Sequence, residues 1–307
     1  MPGFGVVSPG AGPAVQRVCD LACKAFGPAK SRDAIHGLRM HMQTLKPEDL
    51  GLAVPLRLGD EARQGAVSRA ASKGLSSSGV DTEQQQGRRG WGEFFSNPMS
   101  FLRRTSPLPP APAAAMSQGA YAWEAQRTIR YLGVYEDDDC TIGVFCIPAG
   151  SQIPLHDHPG MTVVSRVLVG SLRVTSYDWE TPFTPVPGAD ADGPGWKPPG
   201  EPRNLQAVAR RRPQVTLEGN DPARNTHVLF PTTDGNLHAF EALTDVAVLD
   251  VLAPPYAASR GRDCTYFRED EGADPDAESV LLREFEPPDV FQVTSGKYLG
   301  PKPQRLP

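Results

Sequence analysis

An antiparallel β-barrel behind two short helices is the fold this sequence predicts, on three observations. From Tyr121 the chain runs through short segments rich in Val, Leu, Ile and aromatics: TIRYLGVYE, CTIGVFCIPAG, MTVVSRVLVGSLRVTSYDW, THVLFP, LHAFEAL and VAVLDVLAPPY. Turn residues separate them, and many such strands in sequence fold as a barrel or sandwich. Ahead of them, helical spacing of apolar residues is confined to two short stretches. Finally, 30 Gly and 32 Pro among 307 residues are about a fifth of the chain, against about 12% in ordinary usage, which signals long irregular segments.

In chain order, residues 1–12 are expected to be disordered. PAVQRVCDLACKAF places Val15, Val18, Ala22, Ala25 and Phe26 at helical spacing. After Ser31, a suitable N-cap, the residues Ile35, Leu38, Met42 and Leu45 repeat the pattern until KPEDLGL breaks it. Residues 13–52 are thus two short helices packing on the barrel. Segment 53–120, with ASKGLSSSGVDTEQQQGRRG and SPLPPAPAAAMSQG, has little to bury and reads as a disordered insertion. Its island WGEFFSNPMSFL is read as a loosely attached loop, with a docking segment as the alternative.

The barrel spans 121–300. Within it VVSRVLV and LRVTSYD flank Gly170-Ser171, a Gly-first pair suited to a type II′ hairpin. Pairing across it puts Val163, Ser165, Val167, Val169, Leu172, Val174 and Ser176 on one face, expected inward. The Pro/Gly-rich stretch at about 181–204 is a surface loop, and 301–307 is a tail.

Composition excludes several function classes. No apolar run approaches the roughly 18 residues of a membrane span, and MPGFGVVSPGAGPAVQR has neither a basic start nor an uninterrupted apolar stretch. A cytosolic or nuclear protein away from membranes is expected. Five cysteines without C-x-x-C spacing argue against a disulfide framework or structural zinc. Net charge is −5, and Arg88-Arg89, Arg103-Arg104 and Arg210-Arg211-Arg212 lack interleaved aromatics. They are read as solvated loops, and no nucleic-acid partner is expected.

Chemistry concentrates in IPLHDHPG. Residues i and i+2 of a strand share a face, so His156 and His158 project side by side with Asp157 turned away. Two adjacent imidazoles offer two metal bonds; two partly exposed strand-end histidines are the bland alternative. The frame decides between them. Gly150, His156, His158 and Gly170 reproduce the first cupin motif, except that Val163 stands at its carboxylate position. DGNLHAF supplies the second motif with Gly235 and His238. The pattern is that of a cupin-type barrel, a double-stranded β-helix, with three histidines and no glutamate. His227 competes for the third place, with His238 favoured because it follows the turn. His36 and His41 read as surface residues on the helix. Three neutral imidazoles on iron favour an anionic ligand such as a thiolate beside O2, and the missing carboxylate argues against 2-oxoglutarate chemistry.

IPLHDHPGMTVVSRVLVGSLRVTSYDW, GNLHAFEALTDVAVLDVLAPPY, GRDCTYF and KYLGP together closely resemble the plant cysteine oxidases, relatives of animal cysteamine dioxygenase. VQRVCDLACKAF and LKPEDLGL look like that family too. The likeness covers about 13–52 and 121–300 and leaves 53–120 unexplained. It implies a monomeric Fe(II) enzyme that uses O2 to convert the N-terminal cysteine of protein or peptide substrates to cysteine sulfinic acid. It also implies a product that feeds arginylation and the N-degron pathway, as an oxygen-sensing step. By position the iron ligands are His156, His158 and His238.

Asp250 stands in the apolar run VAVLDVL, where a carboxylate needs a partner. Its favoured role is to orient the substrate amine or a ligand network, and the family treats this Asp as important; a strand-end residue satisfied by backbone is the alternative. Tyr256, Cys264 and Tyr266 are pocket candidates by resemblance, with a plain barrel wall equally open for each. No Cys–Tyr crosslink is expected. Two other functions stay in view: a small-thiol dioxygenase acting on cysteine or cysteamine, and a catalytically silent metal-binding cupin.

Overall fold

The computed structural model describes residues 12–27, 31–53, 126–185 and 204–304. The expected insertion at 53–120 with its aromatic island, most of the 181–204 loop, nearly all of the 1–12 segment and the last tail residues lie outside that range.

Helices α1 (Gly12–Phe26) and α2 (Arg32–Thr44) form where the apolar spacing places them. The Ser31 hydroxyl caps α2 by accepting from the Ala34 N–H at 3.3 Å. Val15, Val18, Ala22, Ala25, Leu38 and Met42 are buried. Histidine 36 is exposed, whereas the His41 ring bonds the Ala14 carbonyl at 2.9 Å and ties the helices together.

Fourteen strands follow among the described residues: β1 (Ile129–Glu136), β2 (Thr141–Ile147), β3 (Gln152–Asp157), β4 (Thr162–Val169), β5 (Ser171–Trp179), β6 (Thr184–Pro185), β7 (Leu205–Arg211), β8 (Val215–Glu218), β9 (Thr226–Leu229), β10 (Leu237–Ala242), β11 (Val246–Ala253), β12 (Phe267–Glu269), β13 (Ser279–Glu284) and β14 (Val293–Gly296). They make two sheets, ordered β14-β1-β2-β11-β4-β9 and β12-β13-β7-β5-β10-β3, with β6 on β7 and β8 on β5. Every pairing is antiparallel except β1 with β14. The central strands β2-β11-β4-β9 face β3-β10-β5-β8, and the chain alternates between the sheets from β2 to β5 and again from β8 to β11. That interleaving is the double-stranded β-helix of a cupin-type barrel.

The two faces of β11 explain the two cores. Ala247, Leu249, Val251 and Ala253 pack with the helices, while Val246 and Val248 join Ile147, Val167, Leu172, Val174 and Phe240 inside the barrel. Both faces being covered is why this strand is apolar almost throughout.

The hairpin at Gly170-Ser171 does not form. Strand β4 pairs with β11 and β9, and β5 with β10, β8 and β7, so the chain crosses between sheets at Gly170. Gly170 has φ 81° and a side chain there would run into the Asp245 carbonyl, which fixes glycine at this arch. Local turn chemistry is shared by arch and hairpin, and only the long-range contact separates them. Val163, Val167, Leu172 and Val174 are inside as expected, but Val169 packs towards the helices. A bulge between Ala247 and Val248 shifts the register there and flips the alternation.

Two arginine readings change. Arg210 and Arg211 lie on β7 rather than in a loop, and Arg211 pairs with Glu269 at 2.7 Å, half-buried. Arg166, which the sequence did not single out, is buried and donates to the Met42 and Leu45 carbonyls at 2.9 Å each. These are last-turn acceptors of α2, so a buried cation closes the helix end and docks it on the barrel.

Candidate metal centre

Strand period and register assemble the histidines. His156 is on β3, His158 follows its end, and His238 on β10 is the direct cross-strand neighbour of His156. Ring centroids are 4.8 Å apart for His156 and His158, 4.9 Å for His156 and His238, and 4.6 Å for His158 and His238. One nitrogen from each falls within 4.8 Å of the others.

The outward nitrogens are held by the backbone. His156 Nδ1 bonds the Pro154 carbonyl and His158 Nδ1 the Asn236 carbonyl, each at 2.8 Å. A carbonyl accepts only from N–H, so both rings carry the proton on Nδ1 and present the Nε2 lone pair to the cavity. In His238, Nδ1 is the nitrogen buried against protein, with no hydrogen-bond partner. Nε2 is again the one left to the cavity. Burial pulls His156 down to about 4 against the Pro154 carbonyl, and pulls His158 and His238 well below the usual histidine range, with the neighbouring imidazoles lowering both further. All three are therefore neutral near pH 7, the form in which imidazole binds a metal. Three convergent neutral donors with two oriented by carbonyls fit a metal ion.

His227 does not join the cluster; its ring lies 6.5 Å from that of His238. Val163, at the motif's carboxylate position, packs with Met161, Leu229 and Leu252 in an apolar patch.

The rest of the cavity comes from both sheets. Asp250 reaches it from β11, between Gly143 on β2 and Ser165 on β4. Burial pushes its carboxyl up to about 7, with the Ser165 hydroxyl opposing. Tyr256 donates to the Asp157 carbonyl at 2.9 Å, and its ring lies 5.8 Å from His158. Asp157 is indeed turned away: its Oδ1 accepts the Thr265 N–H at 2.9 Å and anchors the segment carrying Cys264. Tyr266 bridges to His156, with ring centroids 6.0 Å apart. Cys264 lines the same cavity, and burial raises its thiol well above the usual range, so it is no ready nucleophile.

Sequence reasoning missed Asn236, Phe145 and Phe291. Asn236 holds His158 by both backbone and side chain, its Nδ2 donating to the His158 carbonyl at 2.9 Å. An amide placed two residues before His238 was a usable signal. Phe145 lines the cavity from β2 and was readable from strand alternation. Phe291 packs on Tyr266 with centroids 5.7 Å apart and arrives from a distant segment that local pattern cannot place.

A family model described as PCO_ADO matches residues 99–302. The chain belongs to the PCO_ADO family. Among PCO_ADO relatives, Plant cysteine oxidase 1 of Arabidopsis thaliana is 39% identical over 142 residues, covering 46% of this chain and 42% of that protein. The 2-aminoethanethiol dioxygenase of Homo sapiens is 36% identical over 189 residues, covering 57% of this chain and 68% of that protein. The matches to Arabidopsis Plant cysteine oxidases 1 and 2 span 42% and 60% of those proteins' lengths, less than two thirds of each. Among solved structures, an RmlC-like cupin from Desulfovibrio desulfuricans is 18% identical with a TM-score of 0.24, over 48% of this chain and 99% of that one. A cupin superfamily protein from Desulfitobacterium hafniense is 8% identical with a TM-score of 0.26, over 45% of this chain and 93% of that one. At that distance the superpositions add nothing to the strand topology.

Proposed function

We propose that this protein is an Fe(II)-dependent thiol dioxygenase that converts the N-terminal cysteine of protein substrates to cysteine sulfinic acid. The observation that carries this reading is the convergence of three neutral, buried imidazoles in a PCO_ADO chain, with no carboxylate in the cluster itself among the described residues. His156, His158 and His238 would hold the iron through Nε2. Fe(II) held there would bring a thiolate and O2 together for reaction.

The relatives' names suggest the substrate class. 2-Aminoethanethiol and an N-terminal cysteine share one unit, a primary amine two carbons from a thiol. The described residues lining the cavity include Asp250 but no Lys or Arg. An acidic group suits the amine, and nothing there neutralises the carboxylate of free cysteine. This favours a peptide amide or cysteamine over the free amino acid. Asp250 orients the amine, and Phe145, Ile153, Phe240 and Leu252 keep water from the reacting sulfur. Tyr256, with its ring beside His158, shapes the wall; Cys264 and Tyr266 complete it. The reaction adds both atoms of O2 to the sulfur, thiol to sulfinic acid, with no external reductant. Ordinary cellular thiols do not reverse it, which suits a degradation signal in the cytosol or nucleus that reports oxygen.

The test is aerobic turnover by Fe(II)-loaded enzyme of a Cys-initiated peptide, cysteamine and free cysteine, read by mass spectrometry. The expected result is a gain of two oxygen atoms on the peptide and none when the cysteine is internal. A gain on cysteamine alone would move the assignment to a small-thiol dioxygenase. No gain on any thiol from folded, iron-replete protein would leave a silent metal-binding cupin.

A further inference from the structure

The histidine cluster is supported unevenly. Backbone carbonyls of Pro154 and Asn236 fix His156 and His158, but His238 Nδ1 is buried with no hydrogen-bond partner among the described residues. Leaving a buried imidazole nitrogen unpaired is costly, so a partner is expected close by. One such group is at hand. His227 Nε2 is likewise buried without a hydrogen-bond partner, and its ring lies 6.5 Å from His238 at an interplanar angle of 63°.

The separation specifies the link. Allowing for the radii of the two rings, the nitrogens can approach to roughly 4 Å, too far for a direct bond and right for one bridging water. Such a water needs polar neighbours, and Ser165 is the direct cross-strand neighbour of His227 between β4 and β9. His227 is itself held, because a backbone group of Asp234 bonds the ring. A side chain at Gly235 would sit 3.6 Å from His227 Nε2, so glycine there leaves room beside the ring. The same row of the sheet continues from Ser165 to Asp250 and Gly143, over which Tyr131 lies. Asp250 Oδ1 and the Tyr131 hydroxyl are also buried without partners. Their alignment in one row with His227 indicates a polar seam behind the cluster rather than isolated defects.

We propose that His227 is a positioning residue for His238, joined to its Nδ1 through one buried water, and so supplies the orientation that carbonyls give the other two histidines. This rests on the three histidines being the iron ligands. Because outer partners of metal-bound histidines contribute 10–100-fold in affinity, His227→Phe should weaken Fe(II) binding by about 10-fold or more. His227→Gln, whose amide reaches the place of Nε2, should restore most of it; His227→Asn, whose amide stops short, should not.

The experiment is anaerobic chelator competition for Fe(II) with the wild type and the three variants, alongside absorption spectra of the Co(II) forms. Weaker binding and shifted Co(II) bands in H227F, recovered in H227Q, would support the proposal. Binding within twofold of wild type and an unchanged spectrum in H227F would overturn it. If H227F does not fold, H227N against H227Q decides, and equal affinities overturn the link. A wild type that binds neither metal would instead remove the iron reading itself, before any variant is compared.

Discussion

Asp250 is an acid held where ionisation is penalised, and that makes it measurable by stability. Its carboxyl titrates near 7 in the folded barrel against 3.8 for an ordinary aspartate. A raised folded value means that the folded state binds the proton more tightly. The resulting stabilisation is complete below about pH 4 and is lost as pH rises through about 7. Three units correspond to about 4 kcal/mol. In metal-free protein, the difference in unfolding free energy between Asp250→Asn and wild type should therefore drift in favour of the variant by up to that amount between pH 4 and 8. Urea melts across that range check it, and a flat difference would mean that the carboxyl is paired. At the same scale, His156→Ala should remove a ligand and abolish tight Fe(II) binding, read by metal content after gel filtration. His156 and His158 were legible because strand period fixes which side chains share a face, and His238 because it follows the turn at the spacing of the second cupin motif. Asp250 was legible because a lone charge in an apolar strand demands a reason. His227 was harder, because its significance depends on which nitrogen of a neighbouring ring lacks a partner.

Among elements, the helices and most strands follow from apolar spacing, but how they join does not. Gly170-Ser171 has the chemistry of a hairpin and performs an arch, since the deciding contact is with Asp245, 75 residues away in sequence by their numbers. Gly170→Ala combines an unfavourable φ with a clash against that carbonyl, and should destabilise the fold by about 2 kcal/mol or more in denaturant melts. Arg166 was equally hidden, an arginine in a strand whose partners are carbonyls at the end of a helix. Replacing it by Met keeps the volume and removes its bonds to the Met42, Leu45 and Gly219 carbonyls, of which Met42 keeps the Leu45 N–H. A loss of about 3 kcal/mol is expected. Limited proteolysis should then cut first in the α1–α2 region, because the barrel keeps its own inner core while the helices lose their anchor.

For the whole molecule, the division of the cavity between sheets connects metal binding to stability. His156 and His238 lie in the eight-stranded sheet and His158 follows the end of its β3, whereas Asp250 and Phe145 come from the six-stranded one. A metal held by β3 and β10 therefore braces one sheet, and a thiol substrate whose amine meets Asp250 bridges the two. Ligand that binds only the folded state adds RT ln(1 + [L]/Kd), about 2.7 kcal/mol at 100 times Kd. Anaerobic Fe(II) at that excess should raise the melting temperature of wild type and of Asp250→Asn alike, and should do nothing for His156→Ala. Addition of a Cys-initiated peptide without O2 should raise it again in wild type and much less in Asp250→Asn, since on the proposed reading that variant keeps the metal but loses the acid that meets the amine. Equal second shifts in both proteins would place the amine elsewhere and leave Asp250 a purely structural member of the polar seam.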